Sequence, residues 1–108
     1  MSNKDEKRAA HRALVDSVLR GAGRAAPELR ARAFAGAGLP PLVEPLIGKV
    51  VTAPGEVTDA DFAAAKAAGF SEDQLFELVI CAAVGRSARL YDAGLAALAA
   101  ATGDRGAR

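Results

Sequence analysis

GFSEDQLFELVICAAVGRSARLYDAGLAALAAATG, residues 69–103, decides the fold. Ser71 suits a helix N-cap, and Gln74 three positions later completes a capping box. Phe70 before the cap and Leu75 after it have the spacing of a hydrophobic staple. The stretch therefore predicts one long helix that reaches about Ala101 and stops before Gly103. Its middle, residues 78–84, is apolar on every side. A helix that is apolar all round is expected to be buried from all sides. Gly85 and Gly94 each cost about 1 kcal/mol in a helix relative to Ala. The expected compensation is close approach of another helix, within a subunit or across an interface.

The pattern continues upstream. Thr58 suits an N-cap, and Asp59 and Asp61 favour the positive end of a helix. That helix runs to Ala67 and stops at Gly69. Ala53, Pro54 and Gly55 form a turn signal. Residues 41–51 carry Leu42, Val43, Leu46, Ile47, Val50 and Val51 at spacings of three and four. They predict a helix that begins near Pro45. Residues 47–51 also suit a strand, although no pairing partner is evident. Pro27 fits a first helical position, and a short helix follows to Phe34 before Gly36 and Gly38. Residues 5–19 form another helical pattern, with Ala10, Ala13, Leu14 and Val18 on one side and Gly21 and Gly23 as stops. The expected fold is all-α: a compact bundle of four to five helices with a long central carboxy-terminal helix. It fills one domain, 1–108, with loose ends at about 1–4 and 104–108.

Composition agrees with a small globular domain. The chain has 108 residues, of which 51% are hydrophobic and only 5% aromatic. Alanine supplies much of the apolar share. It favours helices but buries little area, so a partner or a second copy is an expected source of stability. A net charge of +1 makes no general case for nucleic acid. Residues 4–32 are locally basic, with Lys4, Lys7, Arg8, Arg12, Arg20, Arg24, Arg30 and Arg32 against Asp5, Glu6, Asp16 and Glu28. A solvated helix face is the favoured reading of that imbalance. No apolar run approaches the ~20 residues of a membrane span, and no signal-peptide pattern opens the chain. A soluble, cytoplasmic protein is expected. Cys81 stands alone, so no disulfide within the chain is possible.

Residues 57–98 carry a further pattern: Thr58 and Asp59, then Gly69, Phe70 and Ser71, then Glu72, Asp73 and Gln74, then the apolar centre, with Arg89 beyond it. This stretch resembles the later helix pair of the carboxymuconolactone decarboxylase-like family, which includes alkylhydroperoxidase D. The family's redox members carry a Cys-x-x-Cys pair with a nearby His, in which one thiolate attacks and the other resolves. The helix that should hold that motif falls at residues 40–51, which contain neither Cys nor His. The resemblance thus implies a short member without the redox dithiol. It also implies a homo-oligomer, since the family's helical subunits assemble as trimers or hexamers.

Five residues could carry chemistry. Cys81 is a candidate nucleophile, but its apolar setting favours an inert core thiol. Glu77, one turn earlier, is a candidate acid or base; an ion pair or a helix-end carboxylate is the favoured role. Arg86, Arg89 and Tyr91 are candidate ligand contacts, provided both arginines face one cavity. Tyr91 also suits the edge of a core stripe. His11, among Lys7, Arg8 and Arg12, is expected to be exposed. No metal-ligand spacing is present and no cofactor is implied. The leading functional expectation is a non-catalytic, self-associating subunit for assembly or for a protein partner. Two enzyme alternatives stand beside it. In one, Cys81 reduces peroxide and an external thiol resolves it. In the other, Arg86 or Arg89 binds a small acid.

Overall fold

The computed structural model describes residues 3–103, without the side chain of Lys4. Helix α1 spans Asn3–Arg20, α2 Pro27–Ala35, α3 Glu44–Thr52, α4 Asp59–Ala67 and α5 Glu72–Leu98. A 3-10 turn, Pro54–Glu56, precedes α4, and a π-helical turn, Ala99–Gly103, extends α5. The described residues contain no strand, so residues 47–51 are helical. The expected loose ends lie largely outside the described residues, although Asn3 and the Lys4 backbone already belong to α1.

Local chemistry sets the helix ends. Thr58 accepts the Asp61 backbone N–H, and the Asp61 carboxylate accepts the Thr58 N–H in return. Ser71 and Gln74 make the same reciprocal pair at the start of α5. Pro27 and Pro45 sit in first turns, where their missing N–H is not needed. Gly36 ends α2 at φ 75°, a conformation that strains any residue with a Cβ.

Helix α5 is the centre of the bundle, packed on α1, α2 and α3. The core is small: Val43, Leu46, Ile47, Leu75, Leu78 and Cys81 are its largest fully buried side chains, joined by Ala25, Ala33, Ala65 and Ala82. The closest packing is between α2 and α5, because a Cβ on Gly85 would lie 2.0 Å from the Phe34 carbonyl oxygen.

Helix α1 runs antiparallel to α5. Val18 meets Cys81, and His11 meets Tyr91 one stretch farther out. The first half of α1 and the last third of α5 therefore form a two-helix stem beyond the core. Only His11, Tyr91 and Leu95 are half-buried along that stem. The molecule measures 56 × 28 × 21 Å as a result. No helix among the described residues is long and apolar enough to cross a membrane.

Candidate functional site

The densest polar chemistry lies where the α1–α2 loop crosses α5. Ser17, Val18, Ala22, Arg30, Glu77, Ile80 and Cys81 line a shallow, open pocket of about 120 Å³. Arg30 is 6% exposed, although it sits within the basic segment read as a solvated face. Its place one turn before fully buried Ala33 is the local signal of that burial. Arg30 Nη1 donates to the carbonyls of Gly21 at 2.7 Å and Val18 at 3.4 Å. Its Nε is buried without a hydrogen-bond partner among the described residues. The guanidinium thus ties the end of α1 to α2.

Among the described residues Glu77 forms no side-chain ion pair; its partners are backbone amides. Its carboxylate accepts the backbone N–H groups of Arg24 at 2.7 and 2.9 Å and of Ala25 at 2.9 Å. Those two amides lie in the α1–α2 loop, just before the Ala26 N-cap of α2, so Glu77 ties that loop to α5. A Cβ on Gly23 would meet Glu77 Oε1 at 2.6 Å, so a larger residue there would displace the Glu77 carboxylate from its present position. The Ala25 and Arg24 amides hold the Glu77 carboxyl below its ordinary range, with smaller help from Arg30 and Arg24 charges. Both carboxylate oxygens accept from these amides.

Cys81 is 1% exposed and donates to the Val18 carbonyl at 3.4 Å. Burial pushes its thiol up, and the Glu77 charge adds to that; the Arg30 charge opposes both. The balance favours the neutral thiol, which is a poor nucleophile. The cluster acts as a clamp between loop and helix.

The remaining candidates are dispersed. Arg86 donates to the Val51 carbonyl at 2.6 Å, near the end of α3. Arg89 donates to the Phe34 carbonyl at 2.7 Å, near the end of α2. Each arginine serves the negative end of a different helix, an arrangement that neutralises orphan carbonyls. Among the described residues the two guanidinium groups bind carbonyls of different helices, Val51 of α3 and Phe34 of α2. Tyr91 stacks against His11 with ring centroids 4.3 Å apart. His11 is consequently half-buried rather than exposed, because the stem brings the Tyr91 ring over it. Among the described residues, no group of three His, Cys, Asp or Glu side chains could hold a metal.

A different feature lies on the outer side of α5. Residues 78–84 are not buried from all sides: Ala83 is exposed, and Val79, Ile80 and Val84 are half-buried. The reason is that one chain supplies helices for only one side of α5. Along the uncovered side, Phe76 is 65% exposed, Leu90 61% and Leu98 55%. Ala83, Ser87, Gly94 and Ala97 fill the intervals and are also exposed. A Cβ on Gly94 would touch nothing within 4 Å, so no contact among the described residues offsets this helical glycine. At one end, Phe76 joins Phe62, Ala63 and Val79 in an open groove between α4 and α5, edged by Asp59, Lys66, Glu72 and Asp73.

These features define an all-α helical domain whose polar cluster joins the α1–α2 loop to α5 and whose longest helix keeps one apolar face open. Compared with known families, curated proteins and solved structures, the chain matches none.

Proposed function

We propose that this chain is a non-catalytic, self-associating helical subunit. The observation that carries the proposal is the open face of α5, where exposed Phe76, Leu90 and Leu98 stand in line with no charged residue between them on that face. Exposed apolar surface of this kind marks an interface rather than a solvated face. Two further observations support it. The core is built largely from alanines and six larger side chains, which leaves a lone chain modestly stabilised. The clustered titratable groups are held by backbone partners rather than poised for reaction. The resemblance to the carboxymuconolactone decarboxylase-like family points the same way, since that family builds oligomers and this chain lacks its redox dithiol.

The partner is a second copy of the chain. Light scattering on the purified protein is expected to give a multiple of the chain mass. Leu90→Glu with Leu98→Glu is expected to give the mass of one chain with unchanged helix content. A single-chain mass for the unaltered protein at every concentration overturns the proposal.

A further inference from the structure

We infer that two copies pair along α5 in antiparallel orientation, with Ala83 of each chain packed against Gly94 of the other. This rests on the self-association proposed above and adds its geometry. The outer side of α5 carries Phe76, Ile80, Ala83, Ser87, Leu90, Gly94 and Ala97, and Ala101 extends the row into the π-helical turn that follows. Their intervals alternate between four and three, the spacing by which two helices meet along a seam. Seven of the eight are exposed, and Ile80 is half-buried. No charged residue falls at any of these positions.

The orientation follows from size. Turning one copy about a two-fold axis midway along the seam sets Phe76 opposite Ala101, Ile80 opposite Ala97, Ala83 opposite Gly94 and Ser87 opposite Leu90. Every layer then joins a larger side chain to a smaller one, or two small ones. A parallel pair would instead put Phe76 on Phe76 and Leu90 on Leu90, and would leave a gap at Gly94 on Gly94. Helix dipoles also favour the antiparallel arrangement. A shift by one heptad keeps the spacing but aligns six seam positions instead of eight. The two-fold makes the face self-complementary, as a closed dimer requires.

Area decides how much of the surface takes part. The seam from Phe76 to Ala101 is about 38 Å long and about 10 Å wide, a footprint of about 380 Å² per copy. A stable complex buries roughly 800 Å² per partner. The flanks must supply the difference, and each offers one exposed apolar side chain amid polar ones. Leu14 on α1 is 51% exposed, and Phe62 on α4 is 38% exposed. The α1 edge bearing Arg12, Asp16 and Arg20 faces Phe34 of α2, so helical spacing turns Leu14 toward the open side of α5. At the other end, residues 97–101 of the partner lie over Phe76. They reach the groove of about 660 Å³ that Phe62, Phe76 and Val79 line.

Disulfide trapping in the folded full chain tests this. The variants are Ala83→Cys, Gly94→Cys and the double variant. Positions 83 and 94 of one helix are about 16 Å apart, beyond the ~7 Å reach of a disulfide, so any bond joins two chains. Cys81 is buried and stays out of reach. Mild oxidation and alkylation before denaturation are expected to link the double variant into a covalent dimer and to leave each single variant mainly unlinked. Ile80→Cys with Ala97→Cys is expected to link in the same way, which guards against failure of the Gly94 variant to pack. Efficient linking of single Ala83→Cys overturns the antiparallel orientation. Failure of both double variants to link, in a protein that light scattering still finds paired, overturns this pairing along α5. A single-chain mass for the unaltered protein overturns the self-association beneath it.

Discussion

Gly85 of α5 lies directly against the backbone of Phe34 in α2: a Cβ at position 85 would stand 2.0 Å from the Phe34 carbonyl oxygen and 2.9 Å from its Cα. The neighbour is backbone, which cannot rotate aside as a side chain can. Two helices that close can meet only over hydrogen.

Gly85→Ala is therefore expected to destabilise the domain even though alanine is the better helix former. The gain of about 1 kcal/mol in helix propensity is outweighed by a clash that forces α2 and α5 apart, for a net loss of roughly 1–3 kcal/mol. Chemical denaturation followed by circular dichroism would show a lower midpoint. An unchanged or higher midpoint would mean that α2 and α5 are not this close.

Gly94 should answer the same substitution in the opposite sense, since nothing lies within 4 Å of a Cβ there. Gly94→Ala is expected to raise the helix stability of the single chain by up to about 1 kcal/mol. If Ala83 of a second copy packs on Gly94, the same methyl group weakens the pairing. Denaturation at low concentration and sedimentation at high concentration should thus move in opposite directions.

Glu77 should give the domain an acid-sensitive element. Its folded-state pKa is lowered by the Ala25 and Arg24 amides. The stability it contributes is present above its unfolded pKa of about 4.3 and is lost as pH falls through the lower folded value. Glu77→Gln cannot accept from both amides with charge, and is expected to lose about 1–2 kcal/mol at neutral pH. The variant and the unaltered protein should converge only once pH has fallen below the lowered folded-state pKa of Glu77. A constant difference from neutral pH to strong acid would show that the amide contacts do not depend on the carboxylate charge.

Cys81 should behave as a packing residue. Alkylation of the native protein at neutral pH is expected to be far slower than that of a free thiol, and to reach the ordinary rate on unfolding. Cys81→Ser is expected to cost about 1 kcal/mol or less, because the hydroxyl can still donate to Val18. A native rate near that of a free thiol would reopen the peroxide-reducing alternative.

Much of the helical framework is legible along the chain. Thr58, Ser71 and Gln74 announce the starts of α4 and α5 through contacts that span three residues, and Pro27, Gly36 and Gly69 punctuate by their own backbone limits. The polar residues were less legible. Glu77 and Arg30 are 47 positions apart, and nothing local says that a glycine-containing loop will bring Arg24 and Ala25 amides to one and the Gly21 carbonyl to the other. Arg86 and Arg89 look like a pair in sequence, yet each reaches a different helix end. His11 reads as exposed until the stem lays Tyr91 over it.

The amino-acid sequence alone determined the helices, their order and the length of α5, because capping, proline and glycine limits and 3.6-residue spacing act within a few positions. Only the tertiary structure decided that Gly85 is a contact and Gly94 is not, that Arg30 is buried, and that α5 keeps one apolar side uncovered. Those outcomes depend on which helices one chain can bring to each side of α5. A helix that is apolar all round carries no local mark of which side its own chain will fill.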